Sequence, residues 1–113
     1  MNARAEARRW LQAKQNVPER LRERMSQALE NSTGADVPEL LADAALSCLR
    51  AALQSPDERA SALHLLAADA LMTHACGLAA EMGSERLEMV ACEHGAARLT
   101  LLIAETHARP SER

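Results

Sequence analysis

Residues 55–106, SPDERASALHLLAADALMTHACGLAAEMGSERLEMVACEHGAARLTLLIAET, decide the fold. Ser55 ahead of Pro56, with Glu58 three positions after the serine, reads as a helix start: a capping hydroxyl, a proline in the first turn and a carboxylate where a capping box wants one. Gly83 ends that helix after Met82, and Ser84 is expected to cap the next, whose first turn holds Glu85 and Glu88 where the helix dipole favours them. Between these signals the large apolar residues point in several directions. Leu63 and Leu66 lie on one side, Leu65 and Met72 nearly opposite, and Leu71 and Leu78 between. A helix apolar almost all round belongs at the centre of a core, so the stretch predicts an antiparallel hairpin whose first arm is the buried one.

Outward from the hairpin the pattern stays helical. Asn2 to Gln15 is helix-prone, with Ala3, Ala7, Trp10 and Leu11 on one side. That stripe is weak and predicts loose docking or fraying. Asn16-Val17-Pro18 interrupts it, and a second helix follows to about Asn31 with Leu21, Met25, Ala28 and Leu29 as its inner seam. After a turn at Asn31-Ser32-Thr33-Gly34, Asp36 and Pro38 start a third helix that runs to about Gln54. Leu41, Ala44, Ala45, Cys48 and Ala52 centre its dry face, and Asp43, Ser47, Arg50 and Gln54 its wet one.

The fold class expected is all-α: an antiparallel four-helix bundle with an additional N-terminal helix, five helices in total. A basic helix or arm occupies 1–16, the bundle 17–108 and a polar tail 109–113. Composition agrees, because the chain has no Phe, no Tyr and one Trp, and β-branched residues are sparse. A length of 113 residues suits one domain. Its alanine-rich core is thin, since a buried methyl contributes roughly 0.8 kcal/mol against about 2–3 kcal/mol for a buried leucine. Burying more surface in a homodimer would help.

Formal net charge is −3, unevenly spread: residues 1–24 hold seven basic and three acidic side chains, and the remainder six and thirteen. This is a basic arm on an acidic body. The N-terminus lacks the apolar run of a secretory signal, and no stretch has about 18 uninterrupted apolar residues. A cytoplasmic protein without a membrane span is expected, with Cys48, Cys76 and Cys92 reduced.

His94 is the leading site candidate, because it shares a helix face with Leu87, Val90, Ala97 and Leu101 and so falls in the expected core stripe. On the preceding helix Asp69, Thr73 and Cys76 form a polar strip at i, i+4 and i+7. Together Asp69, Thr73, Cys76 and His94 define a candidate pocket for a cofactor or small ligand, in which Asp69 and His94 would pair. His74-Ala75-Cys76 and Cys92-Glu93-His94 mirror each other about position 84. Residues two apart on a helix project about 200° apart, however, so no metal site is expected there.

Arg59-x4-His64 resembles the Arg-x4–6-His signature of the HEPN ribonucleases in spacing, with Leu66 where that family usually carries an aromatic residue. Read from the residues alone, Arg59 and His64 are a solvent-side pair on the first turns of a helix. No histidine has the Lys at +3 and Gly at +4 of a histidine phosphotransfer domain. The enzyme reading therefore has no residue-level support. In the basic arm, Glu6, Glu19 and Glu23 intervene among the arginines, which favours packing on an acidic neighbour over nucleic acid. Trp10 could anchor the arm on a protein partner. The residues point to an interaction or regulatory module in the form of a homodimer; the alternative is a ligand- or metal-binding bundle with its pocket between the fourth and fifth helices.

Overall fold

The computed structural model describes residues 2–108, and for 96, 97 and 106–108 the backbone alone. Asn2 opens α1 (Ala3–Ala13) by accepting from the Ala5 amide through its side chain. Helix α2 spans Glu19–Glu30, and α3 spans Val37–Gln54 behind Asp36, whose carboxylate accepts from the Glu39 amide. Helix α4 (Glu58–Met82) starts at Asp57, not at Ser55 as the sequence suggested. The Asp57 side chain accepts from the Ala60 amide, while the Ser55 hydroxyl donates to the Asp57 carbonyl. Gly83, at φ 131°, sits in the next cap position, so Ser84 begins the following helix instead of capping it. That region runs without a break through α5 (Ser84–Val90), a π-helical stretch over Ala91–Ala97 and α6 (Arg98–Ala108). The protein is all-α, with five helical rods; the expected tail at 109–113 lies outside the described residues.

The central helix is α3, and the expectation that α4 fills that place is overturned. Helix α3 packs against every other element. It buries Leu40, Leu41, Ala42, Ala44, Ala45, Leu46, Cys48 and Ala52. Burial also pushes the Cys48 thiol pKa up. Helix α4 buries a single stripe, Ala67, Leu71, Ala75 and Ala79, each four residues from the last. Those short side chains let α4 lie close on α3, yet only α2 and α5 pack broadly on its flanks. Two of the leucines it carries elsewhere therefore stay in water: Leu65 is 48% exposed and Leu66 57%. By length and composition α4 is long and apolar enough to cross a bilayer, although only 22% of its most apolar window is buried.

Helix α1 is held firmly, contrary to the loose docking its weak stripe suggests. Ala7 and Leu11 are buried. The arginines of the arm cap helix ends: Arg4 donates to the Leu29 and Ser32 carbonyls at the end of α2, and Arg22 of α2 donates to the Leu11 and Lys14 carbonyls at the end of α1. Each helix thereby adds a charged donor to carbonyls at the end of the other. Arg8 pairs with Glu30 on the surface. Trp10 stacks on His74 of α4, ring centroids 4.1 Å apart and planes 7° from parallel.

Four ion pairs fasten the last rod to α3 and its capping residue. Arg86 Nη2 lies 2.7 Å from Asp36 Oδ1 and 3.0 Å from Glu39 Oε2. The Ala35 amide and Arg86 together hold the Glu39 carboxyl below the usual carboxylate range. Farther along, Arg98 meets Asp43 at 2.6 Å and Arg50 meets Glu105 at 2.8 Å.

Two glycines separate crowding from propensity. A Cβ on Gly34 would collide with the Leu40 backbone nitrogen and sit 2.8 Å from the Glu39 carbonyl carbon, whereas one on Gly77, inside α4, would meet nothing within 4 Å. Gly34→Ala is expected to cost about 1–3 kcal/mol in urea denaturation. Gly77→Ala should gain about 0.5–1 kcal/mol.

Candidate functional site

The two arms of the hairpin diverge from Gly83. Helix α4 packs along α5 near the turn, while the π-helical stretch and α6 lean onto α3. The divergence leaves a cleft of about 440 Å³ whose lining is almost wholly apolar. Its floor is Ala45, Leu46 and Leu49 of α3; one wall is Leu65, Ala68, Asp69, Met72 and Cys76 of α4, and the other Ala91, His94, Gly95 and Leu99. Of the four expected site residues, Asp69, Cys76 and His94 line this cleft, and Thr73 does not. Thr73 projects about 100° past Met72 on the helix and is exposed.

His94 is not in the core stripe. The π-helical stretch explains why, since each π turn takes in an extra residue and rotates everything after it by about one position. An uninterrupted α-helix would carry the stripe from Val90 through His94 and Ala97 to Leu101. Instead Val90 is buried, Leu101 is 69% exposed and Leu102 is 5% exposed. The inward register passes to Arg98, Leu102 and Glu105, the residues that meet α3. His94 is left half-buried on the cleft wall.

The expected Asp69–His94 pair does not form, because Asp69 is exposed on the far wall. The polar atom beside His94 is Arg98 Nη1, 3.4 Å from Nδ1, and the same Nη1 donates to Asp43. A guanidinium only donates, so this contact is a hydrogen bond when Nδ1 is unprotonated and the imidazole proton sits on Nε2. The site thus presents one imidazole, one thiol and one carboxylate around an otherwise apolar trough. All three cysteines are unpaired, with Cys48 buried and Cys92 exposed. Among the described residues no three of His, Cys, Asp and Glu cluster in a metal-holding group.

A second depression, of about 510 Å³, lies where α1, the start of α3 and the end of α4 meet. Glu6, Asp36 and Glu81 make it acidic, and it contains none of the candidate site residues Asp69, Thr73, Cys76 and His94.

Two other histidines sit on the opposite side of α4 from the cleft, and sequence reasoning missed their roles. Arg24 Nε of α2 donates to His64 Nδ1 at 2.8 Å. His74 stacks on Trp10, whose ring lies 5.7 Å from Lys14 Nζ. Desolvation first, and then Arg24 for His64 and Lys14 for His74, holds both imidazoles below their usual pKa; Glu81 works in the other direction on His74. Both contacts tie long-range partners on α1 and α2, which no local pattern announces. Compared with protein-family models, curated proteins and solved structures, the chain matches none of them.

Excising Gly95 should remove the extra residue of the π-helical stretch and return the rod to α-helical form with Leu102, now one position earlier, still facing inward. Leu102→Ala is expected to cost about 2 kcal/mol or more in both the parent and the Gly95-deleted chain, and Leu101→Ala less than about 0.5 kcal/mol in both, as read by chemical denaturation. The depressed histidines set a pH dependence. The unfolded chain takes up protons from about pH 6.5 downward before the folded one does, so stability is full above that pH and falls as acid approaches the native pKa values. The urea midpoint should drop between pH 7.5 and 5.5, and His64→Gln with His74→Gln should flatten the drop.

Proposed function

We propose that the protein is a homodimeric helical interaction module, and that its antiparallel four-helix bundle is completed between two copies, each supplying α4 and the α5–α6 rod. One observation carries this reading: the hairpin opens over α3 into an apolar cleft whose rims, Leu65 and Leu99, are 48% and 36% exposed. A trough and an apolar ridge side by side on one chain are what a two-fold interface needs, since each copy offers both halves of the contact. The alanine stripe of α4 stabilises the monomer only modestly, so there is energy to gain from covering these leucines. Three unpaired thiols suit a reducing, cytoplasmic setting. Trp10 belongs to this reading as an internal anchor of α1, leaving the cleft as the partner surface.

Sedimentation equilibrium and native mass spectrometry of protein prepared without chelator test it. The expected result is a dimer at about 1–100 µM with a thermal midpoint that rises with concentration. Leu65→Glu and Leu99→Glu should each yield a monomer of unchanged helicity. A parent chain that stays monomeric across that range overturns the proposal.

A second reading rests on the volume and polarity of the same cleft. About 440 Å³ lies within the range of small-molecule sites, and Asp69, Cys76 and His94 could orient one polar group of an apolar ligand. An adduct in the native spectrum that disappears in His94→Leu would support it over self-association.

A further inference from the structure

Where α2 crosses the first turns of α4, a cavity of about 340 Å³ is lined by Arg20, Asp57, Arg59, His64 and the apolar side chains between them. We propose that this cavity binds a small organic phosphate, a phosphomonoester with an apolar body, independently of the cleft on the other side of α4.

The polar inventory of the cavity is nearly all donors. Among the described residues Arg20 and Arg59 make no ion pair. Arg24, just behind the wall, is spent on His64: its Nε–H occupies His64 Nδ1. A neutral imidazole carries one proton, and with Nδ1 accepting, that proton is on Nε2. His64 therefore also presents a donor. The sole carboxylate in the lining is Asp57, and it is committed to the Ala60 amide as the cap of α4. The first amides of that long helix add the positive end of its dipole.

Charge selects the ligand class. Two guanidiniums against one carboxylate leave a surplus of one positive charge in the lining, with Arg24 behind it, on a chain whose formal net charge is −3. A phosphomonoester carries about −1.5 to −2 at pH 7 and offers three acceptor oxygens to the donors of Arg20, Arg59 and His64, whereas a carboxylate offers two. Guanidinium forks also match phosphate oxygens in pairs. Beneath the cations the lining is mainly hydrocarbon, from Ala60, Leu63 and Leu66. That lining selects an ester with an apolar body over inorganic phosphate.

Phenyl phosphate, inorganic phosphate and benzoate are titrated against the full chain by 1H–15N correlation NMR, with the imidazole and guanidinium signals as reporters. Phenyl phosphate is expected to bind saturably, about tenfold tighter than either of the others, a difference of roughly 1.4 kcal/mol. Arg59→Gln and Arg20→Gln change exposed residues, so they should keep the fold while weakening binding at least about fivefold, as expected for loss of a charge-assisted contact. Arg9→Gln on α1 should leave it unchanged. Shifts that never saturate, or that Arg9→Gln weakens as much as Arg59→Gln does, overturn the assignment. A single-stranded RNA 12-mer that outcompetes phenyl phosphate and is lost in the same variants also overturns it, in favour of a nucleic-acid backbone.

Discussion

The close contact between α3 and α4 is the constraint on which the rest of the structure depends. Ala67, Leu71, Ala75 and Ala79 form a narrow stripe against the alanine-rich face of α3. Small side chains permit the approach, and for the same reason the contact covers little of the circumference of α4. Everything else on that helix must find another partner or remain in water. His64 and His74 find partners on α2 and α1, while Leu65 and Met72 are left at the edge of the cleft.

The second constraint is the register of the last rod. Arg86 anchors α5 to the start of α3 through Asp36 and Glu39, and Arg98 and Arg50 anchor α6 farther along. These two sets of ion pairs cannot both face α3 on an unbroken α-helix that also keeps Val90 inside. The π-helical stretch over Ala91–Ala97 supplies the missing rotation. Gly95 and the alanines around it suit that geometry, because a wider turn of small side chains gives up little packing. The same rotation takes His94 from the core stripe to the cleft wall, so a backbone irregularity and a candidate site have one cause.

The two faces of α4 divide the chemistry of the protein. Toward α1 and α2 the helix offers histidines whose pKa is lowered by burial and by nearby cations. Toward α6 it offers leucine, methionine and a half-buried thiol. The first face is polar and closed by arginines; the second is apolar and open. The reading of self-association draws on the open face and that of phosphate binding on the polar face.

Much of the local structure was legible in residue order. The boundaries of α2 and α3, the dry face Leu41–Ala44–Ala45–Cys48–Ala52 and the break at Gly83 all follow from caps, prolines and period, which are interactions within a few residues. Three of the four residues proposed for a pocket line one cleft because helical spacing places Asp69 and Cys76 on one wall and the hairpin brings the other arm alongside. What periodicity could not determine was which apolar helix lies at the centre. Helices α3 and α4 both carry enough hydrocarbon, and the choice turned on how many neighbours each acquires. Nor could it determine the π register, which exists to satisfy ion pairs between residues about fifty positions apart. Sequence by itself determined helices, ends and faces; tertiary structure alone decided which faces are covered, because coverage depends on neighbours that the chain meets only after it has folded back on itself.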